Sequence, residues 1–340
     1  MTIRRCLALV LPVFSILYLE GCSTNGTPKP TLTEQSADKA SIEGLIAADP
    51  QFAISFDDGG DAPADGAASL NSAQTPQTDS TAVIPPHWGR WRVPPNHPPV
   101  RTVTFLTPPD SNKALVKVNV KFDGWFLVDL TDDGILNPGK KPLRDQKTRY
   151  ALFRKIWFHP DSTSDDSIFG WRLIAVSPIE FTMIDPSRQT VALHSVTLTG
   201  EQTHVTITDP ATLLSLHRGT GLLPLFREGE TVKVEAAVTN TDHGYAPPTF
   251  VFLHAPVAEH AFPGARDWIR ILMYDDGTHG DVTAGDGTFT AAWVVPRFWL
   301  HHIAVDVLNS RCLQNETNDD YNSTTWAVPY AAYPAFLPQP

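Results

Sequence analysis

Ala114-Leu115-Val116-Lys117-Val118-Asn119-Val120-Lys121-Phe122 carries the clearest periodicity in the chain. Val116, Val118, Val120 and Phe122 fall on one side, and Lys117, Asn119 and Lys121 on the other. Strand side chains point alternately to opposite faces, so this pattern reads as a half-buried β-strand. Asp123-Gly124 follows, a two-residue hairpin signal, and residues 125–130 are expected to return as the partner strand.

Working outward, residues 100–106 alternate in part. Residues 150–158 and 171–178 form a second expected hairpin, joined by the polar loop 159–169. Upstream, residues 36–48 are the best helix, with Ser36 or Asp38 as cap and Ile42, Leu45 and Ile46 on one face. Residues 57–82 hold five aspartates and no basic residue, among Gly, Pro, Ser and Thr. Such a stretch buries too little apolar surface to order itself, and its Asp57-Asp58-Gly59-Gly60-Asp61 run reads as solvated disorder.

One helix followed by a curved antiparallel sheet is an α+β layout, expected over residues 36–185. Its element order and the ending Gly170-Trp171-Arg172-Leu173 loosely resemble NTF2-like and cystatin-like modules. That resemblance implies a cone-shaped sheet able to hold a small ligand. From about Val191 the pattern is all-β. Residues 231–238 alternate, with Val232, Val234, Ala236 and Val238 inward, and seven further short strand candidates lie between 196 and 328. This predicts an immunoglobulin-like β-sandwich over 190–328, with a proline-rich surface tail over 329–340. The 30 prolines favour turns and strand ends over helices.

Arg4 and Arg5 precede an apolar run from Leu7 to Tyr18. A positive start and a short apolar core form a secretory signal, too short to span a bilayer. Leu19-Glu20-Gly21-Cys22 resembles the bacterial lipobox, with Leu19 and Gly21 in place and Glu20 departing from the family's small or aliphatic residue. The resemblance implies cleavage after residue 21, lipid on Cys22 and anchoring to a membrane. Ser23, where aspartate would imply inner-membrane retention, points to the outer membrane of a bacterial envelope. Residues 22–35 read as a tether reaching roughly 20 Å.

The formal charge is −11, from 26 basic and 37 acidic residues. An acidic chain without a basic cluster lacks the electrostatic footprint of a nucleic-acid binder. Of three cysteines, Cys6 leaves with the signal and Cys22 is the lipid site, so Cys312 has no intrachain partner and is expected as a small buried or partly buried residue, with pairing between chains as the alternative.

One segment carries chemistry: Asp275-Asp276-Gly277-Thr278-His279-Gly280-Asp281-Val282-Thr283-Ala284-Gly285-Asp286-Gly287. Calcium takes six to eight oxygen ligands, including carboxylates, and glycines let a short loop fold back. Asp275, Asp276, Asp281 and Asp286 are therefore candidate calcium ligands. The same Asp-Gly pairs also make tight turns with no metal, and both readings stay open. The loop resembles one in exported bacterial immunoglobulin-like modules of the choice-of-anchor X type, through Asp275–Gly277, Gly280-Asp281, Ala284–Gly287 and Phe289, over roughly residues 228–308. The resemblance marks a module and implies no activity.

Other patterns are weaker. His301 and His302 are adjacent in an expected strand and so face opposite ways, one buried and one exposed. His254 and His260 carry no motif, Trp125 and Trp171 read as core, and no hydrolase, metalloprotease or phosphate-loop signature occurs. Three functions remain: a non-catalytic envelope lipoprotein binding a protein or glycan, an enzyme with an unfamiliar site in the α+β part, and an assembly or secretion component. A buried, perturbed ionisable group in a pocket would favour the enzyme.

Overall fold

The computed structural model describes residues 32–49, 52, 84, 87–92, 98–107, 109, 112–131, 133, 135, 137–158, 168–216, 223–256, 268–296 and 299–335. The signal, Cys22, most of the tether, the 57–82 segment, His260 and residues 336–340 lie outside them. The one described α-helix, α1 (Leu32–Ala48), begins four residues before the expected start. Asp38 does not cap it; its Oδ1 accepts from Lys155 Nζ at 3.0 Å and Trp171 Nε1 at 2.8 Å. No described helix is long and apolar enough to cross a membrane.

The rest is β. A large sheet runs through β1 (His87–Trp91), β3 (Lys113–Asp129), β4 (Gly139–Phe158), β6 (Ile179–Met183), β16 (Ser323–Tyr333), β15 (Trp299–Asn309), β12 (Thr249–Pro256) and β13 (Trp268–Met273). Four strands join this path: β2 (Val100–Phe105) pairs with β3, β5 (Ile168–Val176) with β4, β9 (Leu214–Ser215) with β5, and β10 (Leu225–Arg227) with β16. The second sheet has the order β14 (Thr288–Val294), β11 (Thr231–Asn240), β7 (Val191–Thr199), β8 (His204–Ile207).

This corrects the expected fold class. No sizeable α+β domain precedes a separate sandwich; the molecule is mostly β, and the large sheet joins both parts of the chain. The junction is explicit: Phe181 of β6 pairs with Thr325 of β16, and Ile179 with Ala327. Periodicity reports that a strand exists and which side is apolar, but not which strand lies beside it.

The strands at the junction bury both faces. Val251, Leu253, Val305, Val307, Val328 and Tyr330 pack against the second sheet, through Val196, Val232, Val234 and Trp293. This is the sandwich that the alternation of β11 predicts. The opposite face of the same strands carries Phe250, Phe252, Leu308, Ala304 and Ala327, which pack against the amino-terminal strands and α1. Strands covered on both faces read as continuous apolar runs rather than alternation, as Thr249-Phe250-Val251-Phe252-Leu253 does.

The large sheet curls until its first strand meets its last. Arg270 of β13 donates Nη1 to the Trp88 carbonyl at 3.2 Å, with its guanidinium 3.6 Å from the Trp88 ring centre. Trp88 and Phe252 stand 5.0 Å apart. Asp123-Gly124 is no hairpin: β3 passes straight through it, Asp123 paired with Arg144 and Gly124 with Leu143. Gly124 is small because β1 crosses closely there; a Cβ would strike the Trp91 carbonyl oxygen. The second expected hairpin does form, as β4 and β5, Ala151 paired with Val176 and Phe158 with Ile168. The expected tail begins later than residue 329, because β16 continues to Tyr333 and buries Tyr330.

Candidate metal centre

Residues 274–287 carry the chain from β13 in one sheet to β14 in the other. Tyr274 and Thr290 pair across the crossing, with N–H to carbonyl distances of 2.9 and 2.8 Å. Within the loop Gly277, Gly280, Gly285 and Gly287 adopt positive φ, as does His279 at 50°. Gly287 also has its Cα beside the Val238 carbonyl, which a Cβ would approach to 2.9 Å. The loop therefore needs glycine there on two counts.

Folding back on itself, the loop gathers its carboxylates. Asp275 accepts from the backbone N–H groups of Gly285 at 2.7 Å, Asp286 at 3.1 Å and Gly287 at 2.9 Å. Asp281 accepts from Gly277 N at 2.7 Å, and Asp286 from Thr288 N at 2.8 Å. One oxygen from each of Asp275, Asp281 and Asp286 lies within 4.8 Å of the others. Two oxygens on one calcium ion stand at most about 5 Å apart, so these three aspartates can hold a metal ion. Asp276 is turned elsewhere. It accepts from Thr278 N and Oγ1, both at 2.7 Å, and lies 2.8 Å from His279 Nδ1. The His279 ring in turn stacks on Tyr274 at 4.2 Å.

The electrostatics separate the two neighbours. Partial burial raises the Asp275 pKa, and the charge of Asp281 adds to the rise, against the pull of the three amides. Burial opposes ionisation of Asp276 too, but Thr278 and His279 outweigh it and the pKa falls.

Beside the loop lies a groove of about 480 Å³, floored by β12 and β13. Phe250, Leu272, Met273 and Phe289 supply apolar surface, and Asp275 and Asp276 stand in its wall.

No protein-family model, no curated protein and no solved structure matches this chain.

A second polar cluster lies inside the curl. Arg90 donates to both oxygens of Asp306, and its Nε donates to Tyr321 Oη at 2.9 Å. Tyr321 donates to Asp145 Oδ2 at 2.8 Å, so the Ser323 hydroxyl, 2.7 Å away, donates to Tyr321. Arg92 Nε reaches Asp145 at 3.3 Å, His254 Nε2 lies 3.3 Å from Asp306, and Thr325 donates to Asp306 at 2.9 Å. Burial would lift Asp306, but Arg90 and His254 outweigh it and hold the carboxyl far below its usual range. Burial lifts Asp145 more than Arg92, Arg90 and Tyr321 lower it. Burial also raises the Tyr321 hydroxyl, which keeps it protonated and a weak acid.

Apart from His254, which carries no motif, no residue of this cluster is among the sequence-predicted site residues. The signal was present in His302-Ile303-Ala304-Val305-Asp306-Val307-Leu308: a lone carboxylate within an apolar run marks a buried charge that needs a partner. The adjacent histidines meet the expectation in part: one is buried, but the other is not exposed. His302 is buried 3.0 Å from Arg149, while half-buried His301 lies over the Tyr330 ring. Cys312 is a buried free thiol, its pKa pushed up to about 12 by burial. Trp171 is core, whereas Trp125 is only half-buried.

Proposed function

We propose that this chain is a non-catalytic lipoprotein of the bacterial envelope, lipidated at Cys22, whose 275–287 loop holds calcium and whose adjoining surface binds an envelope protein or glycan. The observation that carries the reading is the convergence of Asp275, Asp281 and Asp286 within 4.8 Å. Three hard carboxylate oxygens suit calcium, with water free to complete the shell. The envelope address rests on Arg4 and Arg5, the apolar core and the Leu19–Cys22 motif.

Thermal melts of the full chain in calcium and in chelator test the ion. A calcium concentration of 100 times its dissociation constant stabilises by about 2.7 kcal/mol, and Asp281→Asn and Asp286→Asn should each shrink that gain. Superimposable melts overturn the calcium reading and leave the aspartates as turn formers. For the anchor, metabolic labelling with a fatty-acid analogue should mark the wild type and not Cys22→Ala. Equal labelling would refute lipidation there.

A further inference from the structure

Three strands bring three cations into one row. β3 pairs with β4 so that Lys113 stands opposite Arg154, and β4 pairs with β5 so that Arg154 stands opposite Arg172. Directly opposed residues share a face of the sheet, with Cβ atoms about 5 Å apart. Ala114, Phe153 and Trp171 flank the row and are buried in the core beneath α1. Alternation therefore turns Lys113, Arg154 and Arg172 outward, and all three are exposed. Among the described residues none of the three has an ion-pair partner. The positions beside them on this face are Leu115, Leu152, Ile156 and Gly170, none of them acidic. Elsewhere on the face charge is answered: Arg144 stands opposite Asp123, and Lys117 is within electrostatic reach of Glu180.

Like charges directly opposite one another destabilise a sheet. In a chain of net charge −11 the fold does not require such a row, and a locally unfavourable choice of this kind marks a functional surface. Strands lie about 4.7–4.9 Å apart, so the row offers one cation per strand over about 10 Å. That step is close to the length of one sugar ring. Two of the three cations are arginines, whose planar forks match carboxylates. Leu115 and Leu152 face each other, half-buried, and lay an apolar strip alongside on which the C–H face of a sugar can rest. Nucleic acids and anionic bilayers present dense, extended negative charge, which the net charge of the chain repels away from the row. We propose that Lys113, Arg154 and Arg172 bind a linear anionic polysaccharide with one carboxylate per sugar, laid across β3, β4 and β5. This surface is separate from the 275–287 loop and rests on neither calcium nor the lipid anchor.

The test is fluorescence anisotropy of labelled hexagalacturonate titrated with the full-length chain, in chelator so that no calcium bridges the two. The competitors are maltohexaose, which has the same length and no charge, an oligodeoxythymidylate, and phosphatidylglycerol vesicles. Hexagalacturonate should bind saturably and more weakly as salt is raised. None of the three competitors should displace it at equal charge or, for maltohexaose, equal sugar concentration. Arg154→Gln and Arg172→Gln should each weaken binding about fivefold, the size of a partly exposed ion pair. Lys121→Gln, on the same face outside the row, should leave it unchanged. Removing one of three opposed like charges relieves repulsion, so both arginine variants should melt no lower than the wild type. No binding of hexagalacturonate, its displacement by any competitor, or undiminished affinity in both arginine variants would overturn the proposal. A lower melting temperature in both would do so as well, because the row would then be serving the fold.

Discussion

Arg90 on β1 and Asp306 on β15 are joined by two hydrogen bonds of 2.7 and 2.8 Å across 216 residues of sequence, with both side chains buried. Among the described residues, backbone pairing ties β1 to β3 alone. This ion pair, with the Trp88–Arg270 contact, fastens β1 to the far part of the curled sheet. Removing one member of a buried pair strands the other charge and costs about 3–5 kcal/mol. Asp306→Ala should lose that much in urea unfolding. The double variant Arg90→Met/Asp306→Leu should lose less, because it buries no uncompensated charge. A loss below about 1 kcal/mol for Asp306→Ala would show the pair to be incidental.

Acid should loosen the same region, with a sign set by His254. Burial holds its pKa down at about 4, against the pull of Asp306 3.3 Å away, from an ordinary value of 6.5. Between those values the unfolded chain carries the proton and the folded chain does not. Stability therefore falls as pH drops from 6.5 to 4. The loss is on the order of a few kcal/mol at 1.36 kcal/mol per pKa unit. Asp306, whose pKa is depressed, adds a loss at lower pH still, whereas the raised pKa of Asp145 works the other way. Urea midpoints measured across this range should fall in the wild type and flatten in His254→Gln. A flat wild-type profile would contradict the burial of a neutral imidazole.

Much of this was legible in the chain. The inward set Val232, Val234, Ala236 and Val238 is buried as its alternation requires, and the loop aspartates were singled out by type and spacing. What failed was partnership. Alternation around Val118 and around Val234 gives two apolar faces but cannot tell that β6 and β16 will lie side by side. The continuous apolar run of β12 was the clue that a second layer covers it. Likewise, four aspartates spaced along 275–286 do not reveal that His279 draws Asp276 away from the other three.

Gly124 tests the strongest local misreading. As the second residue of a hairpin turn it would take alanine at about 1 kcal/mol, the cost of placing a Cβ in the left-handed region. Inside β3, with the Trp91 backbone across it, alanine must push β1 away from the sheet. Gly124→Ala should then cost more than about 2 kcal/mol, in the range of overpacked cores. It should also weaken the Arg90–Asp306 fastening, so that the effect of Asp306→Ala is smaller in its background. Additive losses in the double-mutant cycle would place Gly124 outside that coupling.

The shared strands make a last prediction about cutting the chain between β6 and β7. A self-contained sandwich of residues 190–340 would present a polar outer surface on β12, β15 and β16. Instead these strands bury Phe250, Phe252, Ala304, Leu308 and Ala327 on the face away from the sandwich core. The cut would also strip β6 from the edge of β16, where Phe181 pairs with Thr325, and Arg90 from Asp306. An unpaired edge beside an exposed apolar face is a template for aggregation. The fragment 190–340 should therefore elute as aggregate, bind a hydrophobic dye and lack a cooperative melt. Co-expression with residues 1–189 should restore a soluble complex that melts as one unit. A monomeric fragment that melts cooperatively on its own would mean that β12, β15 and β16 need only the sandwich beside them, and that the amino-terminal strands are a removable cover.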